Sequence, residues 1–362
     1  MKKRVGIMFP SSSAGGIFQY TIALTEALAN CEEDFESVIL HDELENPKEQ
    51  LTKISHKISF VSYKSSSPSF LIKLIQYLAL YFNQPWLLPL KFENRLKGEK
   101  FDVLVIPTPY SFNVPTKTPY VVFIPDLMHR YFPRYPEYPL KERITRDIVY
   151  SYYARNAKTN IVESYGCKDD LTKFYGVDQN KIFLALMVPA NYIFENKNIN
   201  KDEAREILKE FNLPLEFIFY PAQFWPHKNH LRLVRAIAII RDKFGIKINL
   251  VLVGRANANY EATFNEVWSE VIKLELSNQV KHLGYVKNIE IAALYRASKA
   301  MVFPSLLGYT NIPPLESIVM RTPVIVSNIF EMPRQVGDAG LLIDPYNEAD
   351  IAEKILSVWN SE

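Results

Sequence analysis

Short unbroken apolar runs alternate with stretches of helical period, and the alternation starts twice along the chain. In the first series RVGIMF (4–9), SVILH (37–41), DVLVIP (102–107), YVVFIPD (120–126) and TNIVES (159–164) read as buried strands. Helices follow at 17–29, 143–157 and 167–176, the last closed by Gly176. The second series has strands at 217–222, 248–254, 280–285, 300–305, 323–328 and 341–344. Its helices lie at 202–211, 231–245, 265–274, 289–298, about 315–321 and 349–359. Strands and helices in alternation predict an α/β chain with parallel sheets covered on both faces. Two series predict two doubly wound, Rossmann-like domains. The polar break NYIFENKNINKDE near 185–200 places them at 1–190 and 191–362. Ligands of such sheets bind outside the carboxyl ends of the strands, so the expected site is the cleft between two facing domains.

Charge and cysteine content exclude several classes. Forty-two basic and 40 acidic residues leave a net charge of +2, so no overall field selects nucleic acid. Cys31 and Cys167 cannot build a disulfide framework or a cysteine-based zinc site, and they fit a reducing, cytoplasmic compartment. The apolar run from Val5 to Phe9 is too short for a signal peptide. The most lipid-like stretch, 70–90, is interrupted by Lys73, Gln76, Asn83, Pro85 and Pro89, which argues against a membrane span. Residues 51–97 carry seven Lys and Arg against the single acid Glu93. That segment suits either a helix packed on its own domain with solvated lysines, or peripheral contact with the inner face of a membrane through 70–97.

Four loops at strand ends hold the candidate chemistry. Ser11 to Gly16 joins the first strand to the first helix, and Gly15 and Gly16 let backbone approach a ligand at a helix N-terminus. The loop is not GxGxxG. In YPAQFWPHKNH (220–230), Lys228 stands near a helix start as a point charge for phosphate, and Asn229 reads as the helix N-cap or a polar contact. In SLLGYTNIPPLE (305–316), Pro313 and Pro314 suit a first helical turn, and N–H groups around Asn311 and Ile312 are placed for an anion. Glu316 suits the helix dipole, or accepts paired bonds from vicinal sugar hydroxyls. In IPDLMHRYFP (124–133), Asp126 ends a buried strand, and His129 follows within one turn, where the two groups can share proton handling. No GxxxxGK[ST], HExxH, GxSxG or DxD motif occurs, and no metal site is expected.

Taken in order on these elements, the four loops resemble retaining glycosyltransferases of the large two-Rossmann-domain (GT-B) kind, often called family four. FYPAQFWPHKNHLRLVRAI and the stretch from VKHLGYVKN to PVIVSN carry the resemblance over about 217–345, with a looser match over 1–30 and 101–165. The form GYTNIPPLE resembles a variant found among bacterial polysaccharide and lipopolysaccharide transferases. The resemblance implies a nucleoside-diphosphate sugar as donor substrate, with no separate cofactor. It implies Gly15 and Gly16 near the diphosphate, Lys228 on phosphate and Glu316 on ribose. Gln223 stands where the family has an arginine, and Gly308 where it has the first of two glutamates. Tyr309, Thr310, Asn311 and Ile312 then take over contacts to the donor. Pro125-Asp126 replaces the family's His-Asp, with His129 partly substituting.

The activity so implied is transfer of a hexose, mannose or a deoxyhexose favoured, to a saccharide or lipid-linked saccharide in cell-surface polysaccharide synthesis. The alternatives from the same fold are a nucleotide-sugar binder without turnover and a sugar-nucleotide epimerase. A phosphorylase needs a pyridoxal lysine, and no lysine is marked out for one.

Overall fold

The computed structural model describes residues 2–361 except 10–15, 32, 53, 65–69, 85–95, 97, 110–115, 134, 136–137 and 257–260. The chain divides into two compact units, Met1–Leu186 and Met187–Glu362. The division falls four residues before the 190/191 boundary read from sequence, because the segment after Met187 runs into a helix that packs inside the second unit.

The first unit runs β1 (Lys3–Met8), α1 (Gly16–Ala29), β2 (Phe35–Asp42), β3 (Ser59–Tyr63), α2 (Phe70–Tyr81), β4 (Val103–Ile106) and β5 (Tyr120–Phe123). It continues with α3 (Met128–Tyr131), α4 (Leu140–Asn156), β6 (Thr159–Val162), α5 (Tyr165–Tyr175) and β7 (Ile182–Leu184). All its strand pairs are parallel, in the order β3-β2-β1-β4-β5-β6-β7. Helix α5 starts at Ser164, whose hydroxyl accepts from Cys167 N–H at 3.1 Å. It stops at Gly176, whose φ of +65° is the left-handed stop expected there.

The second unit runs α6 (Asn191–Asn196), α7 (Lys201–Ile207), β8 (Ile218–Pro221), α8 (His230–Phe244), β9 (Leu250–Val253), α9 (Glu261–Lys273) and β10 (Val280–His282). Then come α10 (Asn288–Ala297), β11 (Ala300–Phe303), α11 (Ile312–Val319), β12 (Val324–Ser327), α12 (Met332–Val336), β13 (Gly340–Ile343) and α13 (Glu348–Trp359). Its parallel sheet has the order β10-β9-β8-β11-β12-β13. Strands β9, β11 and β12 are buried along their whole length, as strands covered on both faces must be. Asn200 caps α7 in a full capping box with Glu203.

In each sheet the chain order reverses once, between β1 and β4 and between β8 and β11. Loops leaving neighbouring strands at a reversal run to opposite faces, which opens a crevice at the carboxyl ends. The short edge strand β7 and the alternating β3 were absent from the sequence reading, and both gain a strand's hydrogen bonds only from their neighbours. Among the described residues no helix is long and apolar enough to cross a membrane.

Candidate functional site

The reversal point of the second sheet brings together two residues 83 positions apart. Lys228 closes the loop after β8, and its Nζ donates to Asn311 Oδ1 at 3.2 Å in the loop after β11. The ammonium also lies 4.9 Å from the centroid of the Phe303 ring. Among the described residues no carboxylate pairs with it. Burial without a counter-charge pushes its pKa down to about 8.

Backbone contacts stitch the two loops into one platform. Leu306 N–H donates to His227 O at 2.7 Å across the two loops, and within the first loop Tyr220 OH of β8 donates to Lys228 O at 2.6 Å. Asn229 takes the helix-start position with φ +60°, but its side chain caps nothing. Its amide instead donates to Pro304 O at 3.0 Å and Pro345 O at 2.8 Å, so of the two readings, cap or polar contact, the side chain takes the polar contact.

Asn311 is the hub. Gln335 of α12 grips its backbone from both sides, accepting from Asn311 N–H at 3.2 Å and donating to Asn311 O at 2.5 Å. The N–H of Asn311 that the sequence offered to an anion is therefore already taken. Its side chain is buried, and Nδ2 has no hydrogen-bond partner. Such a donor is costly to leave unmet. Gly308 makes room for that carboxamide. At φ +121°, a Cβ there would lie 2.7 Å from Asn311 Nδ2 and 3.0 Å from Oδ1. The glycine at the family's first-glutamate position and the asparagine three residues on are thus one steric unit.

Helix α11 begins at Ile312, earlier than read from sequence, with Pro313 and Pro314 in its first turn, where no N–H is missed. Glu316 points into the unit, 7% exposed. Its two oxygens accept from Tyr192 OH at 3.1 Å and Tyr295 OH at 2.7 Å. Burial raises its pKa, and the two hydroxyls oppose the rise. Gln223 Oε1 accepts from Trp225 Nε1 at 3.2 Å, and Thr310 is half-buried beside the hub.

In the first unit Asp126 lies three residues beyond the end of β5, not at the strand's end as expected, because β5 keeps its ladder only where β4 and β6 flank it. Its Oδ1 accepts from Met128 N–H at 2.9 Å, and Oδ2 lies 3.8 Å from the half-buried Arg146. Glu163, just past the neighbouring β6, is buried, and burial with the nearby Asp126 charge pushes its pKa up to about 8. His129 is 2% exposed and turns inward. It meets Asp147 of α4 at 3.3 Å, not Asp126, and Tyr175 OH donates to the same Asp147 oxygen at 2.7 Å. Gly15 falls outside the described residues, and Gly16 is the first residue of α1. Among the described residues no group of three or more His, Cys, Asp or Glu converges as a metal cage.

Gln335, Tyr192, Tyr295 and Glu163 were not marked out in sequence. Glu163 had a signal, as an acid directly after a buried strand; the other three had none, since nothing local ties them to a distant loop.

Residues 200–362 match the family described as glycosyl transferases group 1. The O-antigen chain mannosyltransferase RfbU of Salmonella typhimurium is 27% identical over 194 residues, 54% of this chain and 49% of the relative. The O-antigen chain mannosyltransferase B of Escherichia coli is 29% identical over 156 residues, 42% of this chain and 40% of the relative. The chain thus spans about half or less of these relatives' length. A glycosyltransferase from Rickettsia africae superposes with a TM-score of 0.68 at 17% identity, covering 99% of this chain and 88% of the other. HepE of Anabaena, solved with UDP and glucose, superposes at 0.70 with 14% identity, covering 100% and 90%. At those identities the likeness is one of fold, the two-sheet GT-B architecture.

Proposed function

We propose, from the premise that residues 200–362 belong to the glycosyl transferases group 1, that this chain transfers a hexose from a nucleoside-diphosphate sugar to a saccharide or lipid-linked saccharide acceptor. Mannose is the favoured sugar, because the two O-antigen relatives are named as mannosyltransferases. Transfer with retention, in cell-surface polysaccharide synthesis on the cytoplasmic side of a membrane, completes the reading. The observation that carries it is the Lys228 ammonium, half-buried, without a carboxylate and held on Asn311 at the reversal point of the sheet.

The chemistry assigned to the site is charge management. The bond from the anomeric carbon to the phosphate oxygen breaks, and its electron pair leaves with the nucleoside diphosphate. Lys228 and the unmatched Nδ2 of Asn311 answer the charge developing there. Glu316 accepts from the ribose hydroxyls through lone pairs left by Tyr192 and Tyr295. The acceptor hydroxyl forms the new bond to the anomeric carbon, and its proton passes to Asp126 or to the departing phosphate. His129, buried against Asp147, acts in this reading only by holding the loop that carries Asp126. The charge work falls to protein groups, so activity is expected to persist in chelator.

One observation favours a second reading, a nucleotide-sugar binder without turnover: Gly308 supplies no carboxylate for the sugar. Hydrolysis of donor without acceptor separates the two. The test of the site is calorimetric titration of UDP, GDP, dTDP, ADP and CDP with chelator present. Lys228→Ala is expected to weaken the preferred diphosphate by about 10- to 100-fold, the weight of a charged hydrogen bond. Glu316→Gln is expected to weaken it less. If both variants bind like the parent, the assignment is wrong.

A further inference from the structure

Among the described residues, six that are not glycine hold a backbone φ between +48° and +60°. Four of them close helical turns: Asn83 after α2, Asn212 after the turn 209–211, Glu275 after α9 and Arg321 after α11. The other two stand ahead of a helix, at the carboxyl end of the second sheet. Asn229 follows β8, and Phe330 follows β12. Asparagine tolerates the left-handed region, but a bulky residue there is strained. Phe330, at φ +51°, has no helix to close, so its strain calls for another explanation.

The ring supplies one. It meets Tyr309 edge to face, with centroids 6.2 Å apart and planes at 79°. Tyr309 is 3% exposed, whereas Phe330 is 36% exposed, so Phe330 is the ring of this pair that a ligand can touch. Strand β12 flanks β11 on the side away from β8, which sets Phe330 and Lys228 on opposite sides of the loop after β11. Helix α12, which starts two residues after Phe330, supplies the Gln335 grip on Asn311. A diphosphate held on Lys228 and Asn311 carries its hexose directly on the phosphate, against this same loop. Gly308 brings no carboxylate to that hexose. A hexose has hydroxyls on its rim and C–H bonds on its faces, and an aromatic ring covers the C–H bonds while leaving the rim to polar groups.

We infer that Phe330 is a specificity-determining residue, whose ring forms the apolar wall against which the transferred hexose packs. This rests on the sugar-transfer reading and adds to it a residue that reads the sugar.

The test uses the full chain and its Phe330→Ala, Phe330→Gly and Phe330→Tyr variants. Thermal melting comes first. The glycine variant is expected to melt above the alanine variant, because both lose the ring and only glycine adopts this φ freely. Calorimetry then compares the preferred nucleoside diphosphate with the same diphosphate carrying mannose. The alanine and glycine variants are expected to bind the bare diphosphate as the parent does. They are expected to bind the mannose conjugate about two- to tenfold more weakly, the worth of an aromatic contact. Phe330→Tyr is expected to restore that binding. Equal losses on both ligands, or no loss on the conjugate, overturn the assignment and leave the sugar-transfer reading standing. A glycine variant that melts no higher than the alanine variant removes the strain and overturns it too. A parent that binds no diphosphate overturns the sugar-transfer reading and the assignment with it.

Discussion

The ammonium of Lys228 is drawn partly out of water over the Phe303 ring, with a neutral carboxamide as its polar partner. Its pKa of about 8 lies below the ordinary lysine value, so the folded protein holds that proton more weakly than the unfolded chain does. The sign follows from linkage: between about pH 8 and 10.5 the unfolded chain binds more protons, and stability contributed at this site rises with pH across that window. A bound diphosphate reverses the balance by stabilising the charged form. Nucleoside diphosphate binding is therefore expected to take up a proton near pH 8, and affinity to fall as pH rises through that value. Calorimetry in buffers of different ionisation enthalpy reads the uptake directly, and Lys228→Met should abolish it. At this scale Lys228 and Asn311 were legible, because a lysine and an asparagine at two strand ends are visible in the chain itself. Gln335 was not, because its role is a grip on a backbone 24 positions away.

The loop from β11 to α11 works as one element because Gly308, Asn311 and Gln335 constrain one another. A side chain at 308 faces a backbone conformation that L residues rarely adopt and a carboxamide already in its place. Gly308→Ala is expected to cost about 1–3 kcal/mol of stability and to swing Asn311 off Lys228. Thermal melting reads the first effect, and titration with the preferred diphosphate reads the second as several-fold weaker binding. Parent-like binding by Gly308→Ala would show that the Lys228–Asn311 contact is dispensable. Element ends were less legible than element types. The apolar run 120–126 continues past Phe123, yet the strand stops there, since β4 and β6 supply partners only that far. The opposite error occurs at α11, which was read as starting at about 315 and begins at Ile312.

Each unit closes its own parallel sheet and its own core. In the second, the buried cluster from Ile193 to Leu356 is drawn wholly from residues after Met187. The residues assigned to the donor nucleotide's diphosphate and ribose lie there too. A fragment of residues 187–362 is therefore expected to melt in one cooperative transition and to bind the preferred diphosphate within about tenfold of the full chain. Circular dichroism and calorimetry check both, and a fragment that fails to fold overturns the independence of the unit. Fold class and the positions of the candidate loops at strand ends were readable from the amino-acid order, because strand and helix periods are local and ligands of such sheets gather at strand carboxyl ends. Which loop residues meet is set by strand order, which no local pattern encodes. Lys228 finds Asn311 because β8 and β11 are neighbours in the sheet. Glu316 finds Tyr192 and Tyr295 because α6 and α10 pack beside it, and His129 turns to Asp147 because α4 runs behind the loop. Those contacts join residues 18 to 124 positions apart, and only the folded packing of helices on sheets brings them within hydrogen-bonding reach.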